Sequence, residues 1–208
     1  MSEKKLTMVV PAYNEEEALP IFYAEALRVE KKLPGVEIEY LFIDDGSSDG
    51  TLEVLRDLHK KDARVRYVSF SRNFGKEAAI YAGLSNSCGD YIVTMDADMQ
   101  DPPQLLPQMI AILKMLQAIE EEGYDCVGSR RVTRKGEPPI RSFFARMFYH
   151  IMKKISNADI VDGARDFQLM NRKVVKAILS MGEYNRFSKG IFGWVGFRKK
   201  WLEYENIE

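Results

Sequence analysis

Only two cysteines, Cys88 and Cys126, occur in the sequence, and they belong to no motif, so no disulfide framework can staple the chain. Each falls in or beside a predicted strand and reads as a buried thiol of a reducing compartment. No uninterrupted run of about 18 apolar residues exists, so nothing in the sequence reads as a membrane span. The best candidate, QMIAILKMLQAI, is broken by Lys114 and Gln117. The opening MSEKKLTMVVPAYNEE has a short apolar run that stops at Pro11 and the acids, which reads as a first strand rather than a signal peptide. Large net charge is missing as well: the formal value is -1, so no global field attracts nucleic acid. Two glycine signatures are also absent. There is no G-x-x-x-x-G-K-[ST] loop, and no G-x-G-x-x-G follows the first strand, which argues against P-loop and dinucleotide-binding enzymes.

What is there suits one large domain with a real core: 208 residues, 46% hydrophobic and 29% charged. Strand and helix patterns alternate. Leu6 to Val10, Tyr40 to Ile43, Val65 to Phe70, Tyr91 to Met95 and Asp125 to Gly128 read as short buried strands. Between them, residues 16–33, 49–61, 76–85 and 102–122 read as helices, the second entered through the turn chemistry of Asp45-Gly-Ser-Ser-Asp-Gly50. Such alternation predicts an α/β fold, a mostly parallel sheet with helices on both faces. From about Val132 the pattern is less regular: a basic, aromatic helix over 140–155, a strand at Phe167 to Met170 and a helix at Lys173 to Met181.

In a sheet of this kind ligands bind beyond the carboxyl ends of the strands. Four strands there run into polar residues: Tyr13-Asn14-Glu15, Asp44-Asp45, Ser71-Arg72-Asn73 and Asp96-Ala97-Asp98. The stretch Val93-Thr-Met-Asp-Ala-Asp-Met-Gln-Asp-Pro-Pro103 crowds three carboxylates after a buried strand, and something cationic must offset them. In an extended chain residues i and i+2 point the same way, about 7 Å apart, so Asp96 and Asp98 can converge on one ion. Hard oxygen ligands suit Mg²⁺ or Mn²⁺, and Gln100 can add a carbonyl oxygen. A metal held this way suggests a diphosphate. Positive charge is clustered too: residues 130–154 hold eight Lys/Arg and one acid, and residues 186–200 hold five basic residues and no acid. Such runs read as a solvated face, an anion site or a membrane-facing surface.

Together these segments resemble glycosyltransferase family 2, which has the GT-A fold. The resemblance runs through Val9-Val-Pro-Ala-Tyr-Asn-Glu15, Phe42-Ile-Asp-Asp-Gly-Ser-Ser-Asp-Gly-Thr51 and Met95-Asp-Ala-Asp-Met-Gln-Asp-Pro-Pro103. Ser71-Arg-Asn-Phe-Gly-Lys-Glu-Ala-Ala-Ile80, Gly128-Ser-Arg-Arg131 and Asp166-Phe-Gln-Leu-Met170 narrow it to the polyprenyl-phosphate sugar transferase branch, bactoprenol glucosyltransferases and dolichol-phosphate mannosyltransferases. The resemblance implies one GT-A domain over residues 1–208, with a nucleotide-sugar half over about 1–130 and an acceptor half over about 131–208. Pro11, Tyr13 and Glu15 would line the nucleoside pocket. Asp45, with Asp44 beside it, would accept a hydrogen bond from the base or ribose. Lys76 would approach the donor's nucleotide end, and Asp96, Asp98 and Gln100 would hold the metal. Arg130 and Arg141 look like the arginines that bind an acceptor phosphate, for which a guanidinium fork is suited. Asp166 stands where a base could be. A phosphate monoester has a second pKa near about 6 and is already largely anionic at neutral pH, so Asp166 is expected to position the acceptor or balance charge.

The reaction implied is inverting transfer from a nucleotide-sugar, UDP favoured over GDP, to a lipid phosphate at the cytoplasmic face of the cell membrane. A homo-oligomer is compatible with the resemblance. Two departures stand out. Relatives commonly carry Ser four residues after the acceptor-site arginine, where this chain has Ala145. They also continue from a strand like Trp201-Leu-Glu-Tyr204 into a basic loop and membrane helices, whereas this sequence ends at Glu208. The competing readings are a family member that glycosylates a saccharide in surface polysaccharide assembly, a nucleotide-sugar-binding subunit without catalysis, and, more distantly, a nucleotidyltransferase.

Overall fold

The computed structural model describes residues 4–31, 35–97, 116, 119–131, 164–182 and 188–204. Seven strands form one sheet: β1 (Lys4–Ala12), β2 (Val36–Asp44), β3 (Val65–Ser69), β4 (Tyr91–Thr94), β5 (Cys126–Arg131), β6 (Ala164–Asn171) and β7 (Lys199–Tyr204). Their order is β3-β2-β1-β4-β6-β5-β7. All neighbours run parallel except β6, which is antiparallel to both β4 and β5. The helices are α1 (Ala18–Glu30), α2 (Thr51–Lys61), α3 (Lys76–Asn86), α4 (Arg172–Leu179) and α5 (Ser188–Trp194). The expected mostly parallel α/β sheet is present.

The period-two alternation of β1 explains the two-faced architecture. Leu6, Met8 and Val10 enter a core with Phe22, Tyr40, Phe42 and Leu55, beneath α1 and α2. Val9 points the other way, with Leu41, Ile43, Ile80, Leu84, Val175 and Ile178, beneath α3 and α4. Each such side chain stabilises the fold by about 1.5–3 kcal/mol through burial. Gly83 lets α3 press on the sheet, since a Cβ there would lie 2.1 Å from a Val9 methyl. Pro20 falls in the first turn of α1, where its missing N–H costs nothing.

Several boundaries differ from the sequence reading. Strand β2 starts at Val36, not Tyr40, because Glu39 is buried in a polar network rather than exposed in a loop. Its carboxylate accepts 2.7 Å hydrogen bonds from Thr7 Oγ1 and Arg66 Nη1. Cys126 is buried as expected, but Cys88 is exposed. The chain leaves α3 at Asn86 and turns towards β4, leaving the Cys88 thiol 3.4 Å from Arg66 Nη1 at the surface. Leu116 and residues 119–122 are helical, consistent with the end of the helix expected over 102–122, and the remainder of that helix lies outside the described residues. So do the basic helix over 140–155 and Ala145. Among the described residues no helix is long and apolar enough to cross a membrane.

Candidate active site

Strands β1, β2 and β3 are laid down in one direction, and β4 then returns to the other side of β1. That reversal opens a crevice at the carboxyl ends of β1 and β4, where open α/β sheets take their ligands. Pairing of β1 with β4 stops at Val9↔Thr94, and the last bond is Met95 N–H to Val9 O, 3.1 Å. In a parallel ladder the next donor towards β4 is residue 11, and Pro11 has no N–H. The strands therefore part there. The resulting open cleft, of about 290 Å³, is lined by Pro11, Tyr13, Glu15, Asp45, Lys76 and Asp96, among others.

The loop after β1 and the loop after β2 hold each other in place. Asp45 N–H donates to Ala12 O (2.9 Å), Asn14 N–H to Ser47 Oγ (3.0 Å), Ser48 N–H to Asn14 Oδ1 (2.9 Å) and Glu15 N–H to Thr51 Oγ1 (2.8 Å). Asn14 adopts φ 56°, a left-handed conformation that asparagine tolerates better than most residues. This lacing leaves the Tyr13 ring 46% exposed in the cleft. Asn14, Ser47 and Thr51 were not picked out individually beforehand. The signal available was the pairing of Y-N-E with D-D-G-S-S-D-G-T, two hydrogen-bonding turns after adjacent strands.

The two adjacent carboxylates of β2 do different things. Asp44 is buried and turned into the structure: it accepts from Ser47 N–H (3.0 Å) and from Ser69 Oγ (2.7 Å), tying the ends of β2 and β3 together. It is not among the residues lining the cleft. Asp45 does line it, and its carboxylate also clamps the start of α3, accepting from Phe74 N–H (2.7 Å) and Gly75 N–H (2.9 Å). Gly75, at φ 94°, makes the turn into the helix. The next residue is Lys76, so Asp45 fixes where the Lys76 backbone sits.

Lys76 Nζ lies 2.7 Å from Asp96 Oδ1 and 2.6 Å from Asp166 Oδ2. This ammonium pairs with Asp96, the first carboxylate of the run after β4. Burial lowers the Lys76 pKa, but the charges and hydrogen bonds of Asp96 and Asp166 outweigh it, and the pKa stands above the ordinary lysine value. Asp166 reaches the site because β6 is antiparallel. Thr94 pairs with Gln168, so two residues further along β4 and two back along β6 bring Asp96 and Asp166 to the same edge. Thr94 Oγ1 locks this junction with a 2.5 Å hydrogen bond to Asp166 O. Arg130 lies on the same edge of the sheet, at the end of β5 and in register with Ala164. Asp98, Gln100 and Arg141 lie outside the described residues. The second basic run divides: Arg198 to Lys200 sit at the amino end of β7, paired with Cys126 and Val127 of β5, away from the cleft. There Arg198 and Lys200 lie against the Tyr124 ring, and Lys200 pairs with Glu122.

Of the residues expected to hold a metal only Asp96 is described, and its carboxylate offers hard oxygen at the cleft; among the described residues no group of three or more His, Cys, Asp or Glu is gathered to hold a metal ion. The cleft thus brings together one exposed aromatic side chain, Tyr13, the fixed carboxylate of Asp45 and the Lys76–Asp96 pair.

Known proteins share the sequence and the fold of this chain. The family model described as glycosyl transferase family 2 matches residues 7–179. The putative glycosyltransferase CsbB of Bacillus subtilis is 42% identical over 208 residues, covering 100% of this chain and 60% of the relative. The prophage bactoprenol glucosyl transferase homolog of Escherichia coli is 42% identical over 204 residues, covering 98% of this chain and 64% of the relative. The chain thus spans less than two thirds of the length of these curated relatives. Among solved structures, the mannosyltransferase PcManGT from Pyrobaculum calidifontis in complex with GDP-Man and Mn²⁺ has a TM-score of 0.61 at 17% identity, covering 97% of this chain and 55% of that one. S. aureus TarS in complex with UDP has a TM-score of 0.61 at 15% identity, with 97% and 60% covered. These two place the fold among the GT-A glycosyltransferases.

Proposed function

This chain belongs to glycosyl transferase family 2, and from that membership we propose that it catalyses inverting, divalent-metal-dependent transfer of a sugar from a UDP-sugar to a polyprenyl phosphate. The observation that carries the reading is the pair of Lys76 and Asp96, which line the β1/β4 cleft with Tyr13 and Asp45, joined through the Lys76 ammonium to Asp166. The name of the E. coli relative supports a bactoprenol-type acceptor. The relatives solved with UDP, or with GDP-Man and Mn²⁺, support a nucleoside diphosphate and a metal.

In this reading residues 1–130 bind the donor and residues 131–208 serve the acceptor. Pro11, Tyr13 and Glu15 form the nucleoside wall. Asp45 is acceptor-only when ionised, so it suits the imino N–H of uracil or guanine, and UDP is the favoured nucleotide. Asp96, with Asp98 and Gln100, would hold Mg²⁺ or Mn²⁺, which neutralises charge on the departing diphosphate. A phosphate oxygen of the acceptor bonds to the anomeric carbon while the bond from that carbon to the diphosphate oxygen breaks. The electron pair departs with the nucleoside diphosphate. Arg130 and Arg141 orient the acceptor phosphate. Because that phosphate is already anionic, no base is needed, and the Asp166 carboxylate, paired with Lys76, balances charge at the junction of donor and acceptor. A lipid acceptor puts the reaction at the cytoplasmic face of the cell membrane.

The test is calorimetry of UDP and GDP, each with Mn²⁺ or EDTA, on wild type and Asp96→Ala, followed by UDP release from a panel of UDP-sugars with polyprenyl phosphate in detergent. Binding of UDP that needs both the metal and Asp96, with release stimulated by the lipid phosphate, is the expected result. No nucleotide binding in the presence of metal would end the enzymatic reading. Stimulation by a saccharide and not by the lipid phosphate would move the acceptor to a sugar.

A further inference from the structure

Lys76 occupies an unfavourable place for a lysine. It is the first residue of α3, where the unsatisfied N–H groups and the helix dipole favour negative charge. Helix stability therefore does not explain it. Its ammonium is instead held between two carboxylates from different strands, at 2.7 and 2.6 Å, with the Lys76 and Asp96 side chains still 44% and 40% exposed. The backbone cannot retreat easily, because the Asp45 carboxylate grips the amides of Phe74 and Gly75 immediately before it. Only the flexible side chain is left to move.

We propose that Lys76 is a resident counter-cation of the metal site, which pairs with Asp96 and Asp166 before nucleotide binds and yields Asp96 to the divalent ion when a nucleoside diphosphate arrives to take the ammonium. This inference rests on the metal-dependent reading above. An ammonium hydrogen-bonded to Asp96 Oδ1 and a divalent ion coordinated by the same carboxylate repel each other at close range. Metal entry without nucleotide therefore carries the cost of breaking the Lys76 pair, and the site takes metal poorly by itself. A diphosphate changes the balance, because it coordinates the metal and offers the displaced ammonium new oxygen partners within the reach of a lysine side chain. The metal and the nucleotide then load together. Lys76 acts through Asp96 and is a positioning residue in this scheme.

The experiment measures Mn²⁺ binding to the 208-residue chain, by electron paramagnetic resonance or calorimetry, first without nucleotide and then with saturating UDP. The proteins are wild type, Lys76→Met and Lys76→Arg, each checked for folding by its thermal transition. Without nucleotide, Lys76→Met is expected to bind Mn²⁺ about tenfold more tightly than wild type, while Lys76→Arg, which keeps the charge, stays close to wild type. With UDP present the advantage of Lys76→Met shrinks or reverses. A Lys76→Met affinity equal to or weaker than wild type without nucleotide, including no binding in either, overturns the proposal. If wild type nevertheless binds Mn²⁺ with UDP, the metal-dependent reading survives that failure. If no protein binds Mn²⁺ even with UDP, both fall.

Discussion

Gly46 gives the sharpest test of how the cleft is built. It sits at φ 68°, one residue after Asp45, and a Cβ placed there would lie 2.2 Å from the backbone carbonyl carbon of Arg72. Ordinary contact begins near 3.4 Å, so Gly46→Ala must part the β2 and β3 loops by at least the difference between 3.4 and 2.2, which is 1.2 Å. The Asp45 to Gly75 bond, now 2.9 Å, would open to about 4.1 Å if that shift ran along it, beyond hydrogen-bond range. The left-handed backbone itself costs an alanine about 1–2 kcal/mol. Losing the bonds from Phe74 and Gly75 to a charged acceptor adds about 1.5–3 kcal/mol each, reduced because the cleft admits water. A total of about 3–5 kcal/mol is expected, which for a chain of this size lowers Tm by about 6–20 °C. Gly35→Ala is the control. Gly35 has φ 78° but nothing within 4 Å of its added Cβ, so it carries the conformational cost alone, about 2–4 °C per kcal/mol. Thermal melting of both variants, with UDP affinity measured alongside, decides the matter. If Gly46→Ala loses no more stability than Gly35→Ala and keeps its nucleotide affinity, the loops do not clamp α3 as argued.

Three further outcomes follow from the same contacts. Asp62 sits well below the carboxylate range, chiefly because Arg64 donates to it. Glu39 is also lowered: burial raises it, but Arg66 and Thr7 together lower it further. Both folded pKa values are depressed, so their stabilisation is complete above the unfolded values near about 4 and fades as pH falls through the folded ones. Urea unfolding from pH 7 down to 3 should show stability falling, less steeply in Arg64→Met, and equal slopes would sink the assignment. Burial pushes the Cys126 thiol up to about 11 while Cys88 is exposed, so a thiol reagent at pH 8 should titrate one group in the native protein and two after denaturation. Asp166→Asn should lower turnover by less than about 100-fold and leave the shape of the pH–rate profile intact, since a true general base carries about 10²–10⁴. A larger loss with an altered acid limb would make Asp166 a base.

Much of this was legible in the chain because the signals were local. Apolar runs mark the strands, and polar turns at their carboxyl ends mark the cleft edge. The misses came where a distant partner overrode the local pattern. The apolar run of β2 begins only at Tyr40, yet Arg66 from β3 and Thr7 from β1 satisfy Glu39 inside the sheet, and the strand extends back to Val36. Helix α5 went unread because Ser-Lys-Gly-Ile-Phe-Gly-Trp has two glycines and no cap signal, while in the fold Glu77 of α3 accepts from Ser188 N–H (2.9 Å) at its start. Cys88 looked buried from its neighbours, but it lies past the end of α3, where the chain turns at the surface.

The reversed strand matters most for function, and nothing in the local pattern announced it. A uniformly parallel sheet places only the residues that follow each strand at the ligand edge. Asp166 lies near the start of β6, so in a parallel sheet it would fall at the opposite end from Asp96. Running β6 antiparallel between β4 and β5 brings its amino end to the ligand edge, and Asp166 meets Lys76 and Asp96 there. Strand β5 runs in the direction of β4, so Arg130 near its carboxyl end lies on that edge as well, opposite Ala164. One strand reversal thus joins parallel β1 to β4 with β6 and β5 at a shared edge. Lys76 sits where the two meet, and its ammonium adds to the β4–β6 ladder by pairing with Asp96 after β4 and Asp166 on β6.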